Sequence, residues 1–175
     1  MKKFKKVVVT GPESTGKTAL CRQLSEHFST VYIPEYARTY VKDLNRPYNY
    51  FDIEHIARKQ VELEKEFASK ANSYLFYDTY LIITKIWFIW CYQRFPEWVD
   101  NAITESKVDI FLLLNTDIQW EDDGIRENPG LNRQKLFSLY QAELENLNQK
   151  YCVIGGRGNV RFDNALKALD IIWNF

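Results

Sequence analysis

A β-branched run, Val7-Val8-Val9-Thr10, leads directly into Gly11-Pro12-Glu13-Ser14-Thr15-Gly16-Lys17-Thr18, and an amphipathic stretch follows at once. The segment meets the pattern G-x-x-x-x-G-K-T at each fixed position. Strand, glycine-bounded turn and helix in that order leave little freedom of local architecture. The glycines let the backbone curl until successive N–H groups converge, and the helix N-terminus adds the positive end of its dipole. A phosphate group satisfies such a loop. On this reading Gly11, Glu13, Ser14, Thr15 and Gly16 cradle the phosphates of ATP, Lys17 reaches the β- and γ-phosphates, and the Thr18 hydroxyl ligates Mg²⁺.

The rest of the chain places this loop in a fold. Short apolar runs at Val31–Ile33, Tyr74–Tyr77, Val108–Leu114 and Tyr151–Ile154 read as further strands, the run Tyr74–Tyr77 closing at Asp78. Between them lie helical patterns. Thr18–Phe28 carries Leu20, Leu24 and Phe28 at i, i+4 spacing, and Asp52 is the expected N-cap of a long helix with Ile53, Ile56, Ala57, Leu63 and Phe67 inside. Thr79–Tyr92 is apolar nearly all round, Pro96 opens a helix to about Glu105, and Gln134–Gln149 and Phe162–Trp173 complete the set. Strands alternating with helices imply βαβ units and a parallel sheet covered on both faces. With no internal repeat or linker, one α/β domain over 1–175 is expected.

Composition narrows the partners. Lys plus Arg and Asp plus Glu number 23 each, so no global field draws nucleic acid or an anionic membrane, and neither is expected as a partner. The longest apolar stretch, Leu81–Tyr92, is broken by Thr84 and Lys85 and is too short to cross a bilayer. The basic start Lys2-Lys3-Phe4-Lys5-Lys6 is followed only by Val7-Val8-Val9, too short for a signal sequence. Three scattered cysteines suggest neither a disulfide framework nor a zinc site. A soluble cytoplasmic protein fits, of an oligomeric state that the sequence does not give. Aromatic residues make up 15%, which suits either a filled core or a pocket that stacks a flat ring.

Three further features bear on chemistry. Asp78, at a strand end, can hold a metal, accept a proton from an attacking hydroxyl, or simply cap the next helix. Glu35, just past the second strand, can orient a sugar hydroxyl or form a surface ion pair with Arg38. The polar stretch from Thr116 to Asn132 is long enough to be functional, and Arg126 and the adjacent Arg133 suit closure over a transferred phosphate. A solvated acidic loop is the plainer alternative.

These stretches carry a resemblance. GPESTGKT at 11–18, PEYARTY at 34–40, DTYLIITKIW at 78–87, LLLNTDIQWEDDGIR at 112–126 and YCVIGGRGNVRFDNA at 151–165 together resemble the ribosylnicotinamide kinase domain of the bacterial NadR-type NAD regulators, within the P-loop nucleoside and nucleotide kinases. The resemblance implies a three-layer α/β/α fold with five parallel strands in the order 2-3-1-4-5 and a lid at about 116–133. It implies transfer of the ATP γ-phosphate, with Mg²⁺, to the 5′-hydroxyl of nicotinamide riboside. Glu35, Tyr36, Arg38, Asp78, Trp87 and Asp123 would then line the acceptor side, with Trp120 near the nicotinamide ring and Thr18 and Asp78 at the metal. Arg126 and Arg133 would belong to the lid, and the Gly155–Arg161 loop, with Arg157, would lie near adenine. Tyr80 stands where the family has a second acid, which puts one ribose or metal contact in doubt. The chain begins at the kinase strand, so the DNA-binding and adenylyltransferase activities of the long proteins are not expected of it. Alternatives are a kinase for another nucleoside or a vitamin alcohol, a P-loop ATPase or GTPase switch, and an idle nucleotide-binding partner protein. Against a GTPase, Asn115-Thr116-Asp117 lacks the lysine of N-K-x-D.

Overall fold

Five short strands, each rich in β-branched or aromatic residues, pair in parallel in the order β2-β3-β1-β4-β5. The computed structural model describes residues 4–173; Lys2 and Lys3 of the basic N-terminal run lie outside them. Along the chain run β1 (Lys5–Thr10), α1 (Lys17–His27), β2 (Val31–Ile33), α2 (Tyr36–Asp43), α3 (Tyr50–Ala68), β3 (Tyr74–Asp78) and α4 (Leu81–Tyr92). Then follow α5 (Glu97–Glu105), β4 (Ile110–Leu114), α6 (Leu131–Asn146), β5 (Tyr151–Ile154) and α7 (Asn159–Trp173). Sheet order and three-layer arrangement are those the resemblance implied. No helix among the described residues is long and apolar enough to cross a membrane.

The period-two alternation of strand side chains divides the core in two. Val8, Tyr77, Phe111 and Leu113 meet Ile53, Ile82, Val99 and Tyr140 on one side, while Val7, Val9, Phe76 and Leu112 meet Leu20, Leu24, Ala165 and Leu169 on the other. All of β4 is buried, as a central strand covered on both faces must be. Truncating Phe111 to Ala there should cost about 3–5 kcal/mol of stability.

Local differences from expectation have local causes. The long helix is capped by Asn49, not Asp52. The Asn49 side chain accepts from the Phe51 and Asp52 N–H groups, and Asp52 returns a bond to the Asn49 N–H, which completes a capping box one turn earlier. The segment after Glu35, which opens the connection from β2 to the long helix, forms α2. Helix α4 begins at Leu81 because Thr79 takes a left-handed backbone, φ 65°. Helix α6 begins at Leu131, so Arg133 is helical.

Two polar groupings tie these layers. Lys85, 4% exposed, places its ammonium 2.7 Å from Asp100 Oδ1 and 2.6 Å from Glu143 Oε2, joining α4 to α5 and α6. Tyr80 turns into the core and donates its hydroxyl to Glu64 Oε2 at 2.9 Å, beside the Lys6–Glu64 pair at the start of β1.

Candidate active site

The loop after β1 keeps its shape through two glycines. Gly11 has φ 130°, and a Cβ there would lie 2.9 Å from the Leu114 carbonyl oxygen, so only glycine lets the loop leave beside β4. Gly16, at φ 81° and ψ 22°, occupies the N-cap of α1 with no side-chain cap, which leaves the first helical N–H groups open to an anion. Lys17 is 8% exposed and donates to the Pro12 carbonyl at 2.8 Å, as does the Thr15 hydroxyl at 2.8 Å.

Asp78 stands at the end of β3 with 1% exposure. Its Oδ2 accepts the Thr18 hydroxyl at 2.5 Å, and its Oδ1 is buried with no partner. Burial holds the Asp78 carboxyl above the usual range, against the pull of the Thr18 hydrogen bond and of the Lys17 and Arg38 charges. A hydroxyl and an orphaned carboxylate oxygen side by side are hard oxygen donors and fit Mg²⁺. Among the described residues no group of three or more His, Cys, Asp or Glu could hold a metal, so the remaining ligands would be phosphate oxygens and waters, as usual for Mg²⁺ bound with a nucleotide.

Glu35 occupies the N-cap position of α2 and makes no capping bond. Burial raises its carboxyl above the usual range; Lys17 pulls it down, and the Asp78 charge pushes it up again. The alternative ion pair with Arg38 does not form, because Arg38 pairs with Asp123 instead.

A cavity of about 510 Å³ joins these parts. One end is the phosphate loop from Pro12 to Thr18, including Glu13, Ser14, Thr15, Gly16 and Lys17. Glu35, coupled to the Lys17 charge, and Arg126, bonded to Ser14, stand close to that loop, and Arg38, Asp123, Trp87 and Trp90, with Tyr48 and Glu127, line the remainder. Ile83, Trp87 and Trp90 recur at i, i+4 and i+7 and form a single stripe of α4. Tyr48 meets Trp87 edge-on, ring centres 4.7 Å apart, and donates its hydroxyl to Glu127 Oε2 at 2.9 Å. Asp78 does not line the cavity and touches it through Thr18.

The segment between β4 and α6 lies across the phosphate loop, tied by Glu13. The Glu13 carboxylate accepts the Trp120 indole N–H at 2.9 Å and the Asn128 and Glu127 backbone N–H groups at 2.7 and 3.2 Å. Arg126 donates to the Ser14 hydroxyl at 3.2 Å and pairs with Asp123 at 3.3 Å. Trp120, expected beside the acceptor ring, is outside the cavity lining because Glu13 captures its indole N–H; the indoles in the lining are Trp87 and Trp90. Arg133, expected on the lid, sits 5% exposed in the first turn of α6, and its guanidinium is taken by the Glu13, Ser14 and Ile118 carbonyls. Tyr36 places its hydroxyl 3.3 Å from His55 Nε2, and Arg157 donates to the Asp117 carbonyl at 3.2 Å; neither lines the cavity.

Sequence reasoning passed over Tyr48 and Glu127. Trp90 was legible as the i+7 partner of Ile83. Arg161, expected at the end of a loop near adenine, turns its guanidinium to the Thr15 carbonyl of the phosphate loop.

Comparison with known proteins agrees with this geometry. A family model described as AAA domain matches residues 6–161. The trifunctional NAD biosynthesis/regulator protein NadR of Escherichia coli is 28% identical over 83% of this chain, and the matched region is 37% of that protein. A crystal structure of NadR protein in complex with NR superposes with a TM-score of 0.82 at 22% identity, covering 98% of this chain and 52% of that one. A deoxyadenosine kinase from M. mycoides with bound dATP has a TM-score of 0.63 at 13% identity, covering 95% of this chain and 99% of that one. The chain thus spans only part of the length of the NadR proteins it matches. With most of its length matched, the chain belongs to the AAA domain family, and its fold is that of the NadR-type P-loop kinase domains.

Proposed function

We propose that this chain transfers the γ-phosphate of ATP to the 5′-hydroxyl of nicotinamide riboside, giving nicotinamide mononucleotide, and that residues 1–175 act as one catalytic unit with a lid over about 116–130. The observation that carries the reading is the shared cavity, in which a triphosphate cradle faces an unpartnered carboxylate and an aromatic wall. Lys17 neutralises charge spreading over the β- and γ-oxygens, and Thr18 with Asp78 holds Mg²⁺, which supplies further charge neutralisation there. Glu35, one of the carboxylates that line the cavity, orients the acceptor hydroxyl and takes its proton. Arg126, already beside Ser14, closes over the transferred group.

The choice of nicotinamide riboside rests on the acceptor end and on the NR-bound relative. Its ring is flat and cationic, and an indole face attracts such a ring by ~0.5–2 kcal/mol. Trp87 and Trp90 supply such faces, with Asp123 and Glu127 beside them to balance the charge. A coupled ADP-release assay over nicotinamide riboside, its uncharged reduced form, uridine, adenosine and thiamine tests the assignment. The cationic riboside should lead in kcat/KM. A neutral nucleoside in first place would keep the kinase and discard this acceptor, and ADP release indifferent to acceptor would discard the kinase.

A further inference from the structure

The carbonyls of the phosphate loop are gripped from behind by two buried arginines. Arg133, from α6, donates Nε to the Glu13 carbonyl at 3.1 Å, Nη2 to Ser14 at 2.6 Å and Nη1 to Ile118 at 2.8 Å. Arg161, from α7, donates Nη1 to the Thr15 carbonyl, Nε to Gly156 at 2.7 Å and Nη2 to Asn115 at 3.3 Å, and pairs with Asp117 Oδ1. Each is 5% exposed, and neither lines the cavity. The Pro12 carbonyl is held as well, by Lys17 and Thr15.

Every peptide bond described here is trans, so the C=O and N–H of one peptide unit point in opposite directions. Fixing the carbonyls of Glu13, Ser14 and Thr15 towards the arginines therefore aims the N–H groups of Ser14, Thr15 and Gly16 the other way, towards the cavity. Among the described residues no protein acceptor takes those three N–H groups. We infer that Arg133 and Arg161 are positioning residues for phosphoryl transfer, which set the direction of the loop's amides without touching the nucleotide. The inference rests on the loop being the triphosphate cradle of the proposed function.

The side-chain type follows from the task. A guanidinium presents five N–H donors in a rigid plane and stays charged when buried, so one side chain can hold three carbonyls at fixed angles. A lysine keeps the charge and loses the fork. Asp117 orients the second fork, since its other oxygen accepts the Gly156 N–H at 2.6 Å. The acceptor end, built from Glu35, Trp87 and Trp90, shares none of these bonds, so the two ends of the cavity should respond differently.

The test is isothermal titration of ATP, inorganic tripolyphosphate and nicotinamide riboside into wild type, Arg133→Lys, Arg161→Lys and Arg161→Met, with the thermal midpoint of each. ATP and tripolyphosphate should bind at least about tenfold more weakly to both lysine variants, the loss of one or two charge-assisted hydrogen bonds, while nicotinamide riboside binds as before. Arg161→Lys carries the argument even if Arg161→Met fails to fold. A folded lysine variant that loses less than tenfold, or that loses the riboside as severely as ATP, overturns the positioning role. If wild type binds ATP but not the riboside, the proposed acceptor fails, and the arginines are judged on ATP, tripolyphosphate and thermal midpoint alone.

Discussion

Thr18 gives its hydroxyl proton to one oxygen of Asp78, and the second oxygen of that carboxylate lies buried beside it with no partner. The pair links an acidic residue outside the cavity lining to the proposed metal site. Asp78→Asn keeps size and one acceptor oxygen but removes the charge. The free Mg²⁺ giving half-maximal rate should rise about 10–100-fold, as for other groups that support a bound metal. Initial rates across Mg²⁺ at saturating ATP check this, and an unchanged curve would remove Asp78 from the metal.

Lys17→Ala should leave the fold intact, since the ammonium makes a single bond to the Pro12 carbonyl. The loss falls on the transition state and should lower kcat about 10²–10³-fold, the equivalent of roughly 3–4 kcal/mol. Steady-state kinetics alongside circular dichroism separate this outcome from unfolding.

Glu35 sets activity against stability. Its folded-state pKa lies above the ordinary carboxylate value, so between the two the folded chain holds more proton than the unfolded one. Its contribution to stability therefore falls as pH rises through that window, while the rate, which on the proposed function needs the carboxylate, should rise. Glu35→Gln should raise Tm by about 2–4 °C above that window, equivalent to ~1 kcal/mol, and the gain should vanish below the ordinary carboxylate range. Turnover should drop about 10²-fold. A variant with an unchanged Tm difference at all pH values would contradict the raised pKa.

The proposed lid hangs on Glu13. Four donors from residues 120, 127 and 128 converge on its carboxylate, and hydrogen bonds to a charged group are worth about 1.5–3 kcal/mol each. Glu13→Ala should speed amide exchange over 116–130 by about 10–100-fold. In wild type, ATP and acceptor together should slow that exchange further. Exchange that ignores both the substitution and the substrates would rule out a lid.

Substrate choice separates the tryptophans. Trp87→Ala should shrink the preference for cationic over reduced nicotinamide riboside by about 2–30-fold, the range of an indole–cation contact. Trp120→Ala should leave that ratio unchanged and loosen the lid instead. The reverse pattern in kcat/KM would return the ring contact to Trp120.

How much was legible follows from how far each signal travels along the chain. The phosphate loop, with strands β2 and β5, is a local pattern and reads directly. Strand order came through the resemblance. The cap at Asn49 was missed because Asp52 is itself part of the same capping box, as its reciprocal acid. The roles of Glu13, Arg133 and Arg161 depend on partners far away, Asn128 lying 115 residues from Glu13 and Thr15 lying 146 from Arg161. Spacing alone holds no trace of such pairs. An arginine at the head of α7 looks like surface until the sheet brings α1 and α7 to the same face.

The anchoring of Lys85 divides α4 into two sides with separate duties. The ammonium fixes the helix to α5 and α6, while Ile83, Trp87 and Trp90 look into the cavity from the other flank. Substitutions in that stripe fall on the flank away from the anchor, so on the proposed function natural selection could rewrite which nucleoside is accepted without first inventing a new scaffold.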